Sequence, residues 1–147
     1  MTLTLAFFGA GPRARPYLDA LARRSDVQVK AVCDVDRRAA EQSAAGWQAQ
    51  VFLSPEAMLQ EARPDALWIC VPPHLQGDVL LKAIQQNVPF FVEPPGGMNF
   101  ERARLYARQI TAAGLVTAVG FPTRYTDVVA EAREYLGANV LPLVLGW

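Results

Sequence analysis

The sequence predicts a doubly wound α/β domain: a parallel sheet of six strands in the order 3-2-1-4-5-6, with helices on both faces. Three observations predict it. Short apolar runs alternate with helix-period segments along the chain, joined by short connections. The run Ala66–Val71, ALWICV, is continuously apolar, as a strand covered on both faces must be. At 147 residues, 52% of them hydrophobic, the chain is long enough for one complete domain and too short for two ordinary ones.

Taken in order, Leu3–Phe8 reads as the first strand. Arg13–Arg24 follows as a helix with Ala14, Tyr17, Leu18 and Leu21 on one face. Val27–Cys33 is the second strand, Arg37–Ala45 an Ala-rich helix and Gln50–Leu53 a short third strand. Ser54-Pro55-Glu56 starts the next helix, with Ser as N-cap and Pro in the first turn, and Pro64 stops it. After ALWICV, Leu75–Gln86 is a helix with Leu75, Val79, Leu80, Ala83 and Ile84 turned inward. Phe90–Val92 is the fifth strand, Phe100–Ala113 a helix, Leu115–Gly120 the sixth strand and Thr126–Leu136 a last helix. Val140–Leu145 is a further apolar run, interrupted by Pro142.

Composition narrows the function classes. The formal net charge is zero, which argues against nucleic acid as a partner, since phosphate binding needs an excess of Lys and Arg. Arg13, Arg15, Arg23, Arg24, Arg37 and Arg38 cluster in the first quarter and read as solvated helix surface. Cys33 and Cys70 sit in apolar strands without ligand-spaced neighbours, and His74 is the only histidine, so no zinc site is expected. The expected compartment is the reducing cytoplasm. Met1 to Phe8 shows no signal-peptide pattern, and no apolar run approaches the roughly 20 residues of a membrane span.

Chemistry enters at Gly9-Ala10-Gly11-Pro12-Arg13-Ala14, directly after the first strand. It matches G-x-G-x-x-A, the Ala variant of the dinucleotide fingerprint. Gly9 suits a tight turn, Gly11 lets a pyrophosphate approach the backbone, and Ala14 keeps the helix close to the sheet. The helix N-terminus supplies N–H groups and positive potential. Pro12 removes one of those N–H groups, and Arg13 could reach a phosphate in its place. A glycine turn with a purely structural role fits the same pattern. Asp34 ends the second strand at about the 20-residue spacing of the acid that holds the adenosine ribose, while Asp36 suits the cap of the next helix. The cofactor expectation is NAD, and Arg37 and Arg38 leave NADP open.

Three more strand ends follow: Val71-Pro72-Pro73-His74, Val92-Glu93-Pro94-Pro95 and Val119-Gly120-Phe121-Pro122-Thr123-Arg124-Tyr125. With GAGPRA and AVCDVD, this ordered series resembles the glucose–fructose oxidoreductase / inositol 2-dehydrogenase (Gfo/Idh/MocA) family over essentially the whole chain. The resemblance implies a Rossmann domain for NAD or NADP, with Val71, Pro72, Pro73 and Glu93 on the nicotinamide side of the cleft. It also implies a second, C-terminal domain that binds a small sugar- or cyclitol-like substrate. On that basis residues 1–139 are the cofactor domain, and 140–147 begin a substrate domain that is otherwise missing. An apolar strand left there without a neighbour could also pair with a second copy of the chain.

Two departures from the family pattern stand out. The family's Glu-Lys-Pro reads Glu93-Pro94-Pro95 here, so the proton-handling lysine is replaced by Pro94. General acid–base catalysis is typically worth ~10²–10⁴-fold in rate. The family's histidine after the Pro-Pro turn falls at Gln76, while His74 reads as a surface turn residue. The family often has a cis bond before the proline of Glu-Lys-Pro, which implies a cis Pro94–Pro95 bond. The first functional expectation is therefore hydride transfer between NAD(P) and a polyol or sugar. The second is a dinucleotide-binding sensor or scaffold without chemistry. A methyltransferase is a third alternative, although Val71 stands where the Asn or Asp of its Pro-Pro turn would be.

Overall fold

A computed structural model describes residues 2–136 of the chain. The further apolar run at 140–145 and the second-domain boundary lie outside the described residues. Within them the order is β1 (Leu3–Phe8), α1 (Arg15–Leu21), β2 (Val27–Cys33), α2 (Arg37–Ala45), β3 (Gln50–Phe52) and α3 (Pro55–Ala62). Then come β4 (Ala66–Ile69), α4 (Pro73–Gln85), β5 (Phe90–Val92), α5 (Phe100–Ala113), β6 (Thr117–Val119), a 3-10 turn (Pro122–Tyr125) and α6 (Asp127–Leu136). All six strands are parallel, in the order β3-β2-β1-β4-β5-β6. This is the Rossmann arrangement that the alternating pattern predicts.

Strand alternation sends side chains to two cores. Phe7, Val29, Val32 and Cys70 pack with Ala14, which precedes α1, with Leu18 of α1 and with Ala40 and Ala44 of α2. Ala6, Phe8, Ala31, Cys33, Leu67 and Ile69 pack on the other face, under α3, α4 and α5. Val29 and Val32 share a face despite their odd spacing, because the β1–β2 register skips Lys30 between Leu5 and Ala6. That bulge turns Lys30 to solvent in the middle of an apolar strand and resets the alternation.

Caps fix several boundaries. Asp36 accepts from the Arg38 and Ala39 N–H groups, Ser54 from Ala57 and Asn99 from Arg102. Gly114 closes α5 in the left-handed conformation, at φ 61°.

Several boundaries differ from expectation, among them the end of α1, which comes early at Leu21, and the start of β6, which comes late at Thr117. α1 begins at Arg15 rather than Arg13, because Pro16 cannot donate to the carbonyl of Pro12. Its first regular bond is Leu18 N–H to Ala14 O. α4 begins at Pro73 rather than Leu75, since proline fits the first helical turn. β4 and β6 stop short, at Ile69 and Val119. The inward face of α4 is also shifted: Gln76 is 1% exposed and Leu75 is 47% exposed.

Candidate functional site

The strands deliver their carboxyl ends to one edge of the sheet, and the strand order reverses between β1 and β4. A cleft of about 590 Å³ opens at that edge. It brings together Gly9, Gly11, Pro12 and Arg13 from the first turn, Asp34 from β2, Val71, Pro72 and Pro73 after β4, and Glu93 and Pro94 after β5. Every residue expected in a cofactor site therefore lies on one cavity.

The two glycines are there for different reasons. Gly9 has φ +98°, and a Cβ on it would stand 2.7 Å from the Cys70 carbonyl oxygen. The fold itself excludes a side chain at that position. A Cβ on Gly11 would meet nothing within 4 Å among the described residues beyond its chain neighbours. The missing side chain of Gly11 therefore leaves room in the cleft rather than inside the protein. Pro12 and Arg13 are exposed on the turn between Gly11 and α1, and Ala14 is fully buried against the sheet.

Asp34 ties this turn to β2. Its Oδ2 accepts from the Ala10 N–H at 2.7 Å, and its Oδ1 accepts from the Asp36 N–H at 2.9 Å. A carboxylate has about four acceptor sites, so both oxygens keep capacity for a ligand hydroxyl. Ser43 Oγ donates to the Ala10 carbonyl at 3.2 Å and holds the turn from the α2 side. Asp36, not Asp34, caps α2. Arg37 pairs with Glu41 at 3.7 Å, and neither it nor Arg38 lines the cleft.

The β5 end is more elaborate than the sequence suggests. The Glu93 N–H donates to the Ile69 carbonyl at 3.0 Å. Its own carbonyl accepts from Gln76 Nε2 at 2.9 Å, and the same nitrogen donates to the Val71 carbonyl at 3.2 Å. Gln76 thus staples the ends of β4 and β5, and its Oε1 has no partner among the described residues. On the carboxylate, Oε1 accepts from the Tyr17 hydroxyl of α1, and Oε2 lies 3.7 Å from Arg13 Nη1. Burial, then the hydrogen bond to Glu93, pushes the Tyr17 pKa above its ordinary value, so this hydroxyl is the donor. The Tyr17 ring meets Phe91 edge-on at 5.0 Å, Phe91 stacks on Trp68 at 5.3 Å, and Trp68 on Phe7 at 6.0 Å.

Helical periodicity places Tyr17 only on the inward face of α1, and it misses the staple formed by Gln76. No local signal pairs Tyr17 with Glu93, which stand 76 positions apart, and Gln76 is marked only as the position of the family histidine. His74 lies exposed in the first turn of α4 and lines a separate cavity of about 280 Å³ between the starts of α4 and α5. The Pro94–Pro95 bond is cis, as the resemblance implies. Cys33 and Cys70 are free and buried. Burial pushes both thiols up to about 12, with the Asp34 charge adding to Cys33 and the Glu93 charge to Cys70. Among the described residues no cluster of His, Cys, Asp or Glu could hold a metal ion, and no helix is long and apolar enough to cross a membrane.

A strand-order reversal with a glycine turn on one side and an acid after β2 defines a dinucleotide-binding Rossmann domain. Within that class the chain belongs to the Gfo/Idh/MocA oxidoreductase family: residues 3–121 match its NAD-binding Rossmann fold. NAD is the cofactor of this fold, and the methyltransferase alternative falls with that match. The chain is 27% identical over 151 aligned positions to an inositol 2-dehydrogenase/D-chiro-inositol 3-dehydrogenase of Lacticaseibacillus casei, covering 99% of this chain and 44% of that protein. It is 29% identical over 141 positions to a D-glucoside 3-dehydrogenase of Escherichia coli K12, covering 95% of this chain and 40% of the relative. The chain therefore spans less than half the length of these curated relatives. The crystal structure of GenD2 from gentamicin A biosynthesis, in complex with NAD, shares the fold with a TM-score of 0.88. That likeness covers 93% of this chain and 39% of the other at 21% identity.

Proposed function

We propose that residues 1–139 are the cofactor domain of an oxidoreductase that transfers a hydride between NAD and a sugar- or polyol-like substrate. In this reading Gly9, Gly11, Pro12 and Arg13 receive the pyrophosphate and Asp34 the adenosine ribose. Val71, Pro72, Pro73 and Glu93 border the nicotinamide. A bound NAD supplies the hydride acceptor; this chain supplies binding, orientation and exclusion of water. The observation that carries the reading is Gly11, which lines the cleft with open space where a side chain would stand. The fold makes no demand for glycine there, whereas a pyrophosphate does. Asp34 favours NAD over NADP, because a 2′-phosphate would face its carboxylate. A cytoplasmic setting fits the two buried free thiols.

The substrate and its proton chemistry would fall to the part of the relatives' length that this chain does not span. Pro94 occupies the position of the family lysine and carries no titratable group. Gln76, in the position of the family histidine, spends its amide N–H groups on backbone carbonyls. These two positions favour, as a second reading, a dinucleotide-binding module without turnover.

Calorimetric titration of the chain with NADH, NADPH and S-adenosylmethionine tests the cofactor assignment. Selective NADH binding is expected, and Gly11→Val should weaken it by about tenfold, roughly 1.4 kcal/mol. Equal NADH affinity in Gly11→Val would remove the pyrophosphate from that turn, and no binding by the wild type would remove the reading.

A further inference from the structure

Charged groups line the cleft in two places. Asp34 stands at the β2 end, and Arg13 and Glu93 meet at the β5 end. In the sheet β2 and β5 are three strand positions apart, about 14 Å at the usual spacing. At the β5 end the other lining groups are Cys70, Val71, Pro72, Pro73 and Pro94, none of which carries a charge. Burial keeps the Cys70 thiol protonated.

The two charges at that end are not equivalent. Glu93 is 8% exposed and is held by Tyr17, by the Ile69 carbonyl and by Gln76. The Arg13 side chain is 81% exposed, and its guanidinium stands 3.7 Å from Oε2, outside hydrogen-bond range. Water and salt screen an exposed cation far more than a buried carboxylate. The residual side-chain charge at this end is therefore negative.

The two redox forms of the dinucleotide differ in charge at one ring. The oxidised nicotinamide is a cation and the reduced ring is neutral, while the rest of the molecule is unchanged. We propose that the Arg13–Glu93–Tyr17 cluster sets the redox preference of this site, making it hold NAD⁺ more tightly than a site without the Glu93 carboxylate would, relative to NADH. This rests on the reading above that the nicotinamide lies at the β5 end. Glu93 supplies the charge, Arg13 tempers it, and Tyr17 is a positioning residue that fixes the carboxylate against the cleft wall. Phe91 packs on the Tyr17 ring, so the hydroxyl can be removed while the ring stays in place.

The test is the ratio of dissociation constants for NAD⁺ and NADH, measured by calorimetry on the chain, with ADP-ribose as a ligand that lacks the ring. Glu93→Gln should move the ratio toward NADH by about tenfold, the scale of a partly screened charge a few ångströms away. Tyr17→Phe should move it the same way by a smaller factor, and Arg13→Gln should move it toward NAD⁺. ADP-ribose affinity should be unchanged in Glu93→Gln and Tyr17→Phe. A cluster with a merely structural role would weaken both forms together and leave the ratio alone. An unchanged ratio in Glu93→Gln, with both forms still binding, overturns the inference. A wild-type chain that binds neither form and no ADP-ribose overturns the cofactor reading beneath it.

Discussion

The half of the sheet built from β3, β2 and β1 and the half built from β4, β5 and β6 repeat one β–α unit, yet they finish differently. In the first half, Phe7, Val29 and Val32 are fully covered by α1 and α2, and the carboxyl end closes on itself through Asp34, Ala10 and Ser43. The second half fades outward. Val116, Val119 and Phe121 around β6 are exposed, as are Val128 and Tyr135 of α6. β4 and β5 still bury Leu67, Ile69, Phe90 and Val92, so the loss of cover is confined to β6 and α6.

Breaking the seam between the halves should have the largest effect. Gly9 directly follows β1, with its Cα against the carbonyl of Cys70, which follows β4. Gly9→Ala combines a left-handed backbone with a contact that only backbone movement relieves, and should cost about 3 kcal/mol in urea denaturation. An unchanged midpoint would mean that the seam is loose.

The two thiols sharpen the comparison chemically, one in each half. For an acid whose folded pKa is raised, the neutral form is the folded form. Its contribution to stability is full below the ordinary thiol range and is lost as pH climbs from about 9 toward about 12. Both thiols should resist a thiol reagent at pH 8 in the native protein and react on unfolding. Stability should fall across that alkaline window, less steeply for Cys70 in Glu93→Gln and for Cys33 in Asp34→Asn. Rapid native-state labelling of either thiol would show that its half opens locally.

The smallest effect belongs to the open surface. Tyr135 is 92% exposed, so Tyr135→Ser should change the stability of this chain by less than about 0.5 kcal/mol. A large loss would mean that α6 is packed after all.

Much of this is legible in the sequence where polar punctuation is strong. The start of α2 follows from Asp36, expected as its cap, and α5 runs as expected between Asn99 and Gly114, which cap its two ends. The cleft is legible because the fingerprint and the strand-end prolines are contiguous motifs. What escapes are interactions decided by tertiary neighbours. Gln76 interrupts an apolar face, and periodicity turns Leu75 inward instead. The structure prefers Gln76 because its amide meets two carbonyls left by the ends of β4 and β5. Proline misleads twice, at Pro16 and Pro73, because it marks a turn and the first turn of a helix equally well. Tyr17 and Glu93 meet only because β1 and β5 flank β4, and nothing near either residue announces the other.

The aromatic row Phe7–Trp68–Phe91–Tyr17 has an optical consequence. Trp68 sits one strand from Glu93 and stacks on Phe91, and its emission overlaps the absorption of a reduced nicotinamide. Energy transfer from Trp68 would make the tryptophan fluorescence of this chain a direct gauge of NADH in the cleft, with NAD⁺ silent. Replacing Trp47 and Trp147 by Phe leaves Trp68 as the sole donor, so its quenching would report the reduced dinucleotide alone, and displacement of NADH by NAD⁺ would appear as its recovery.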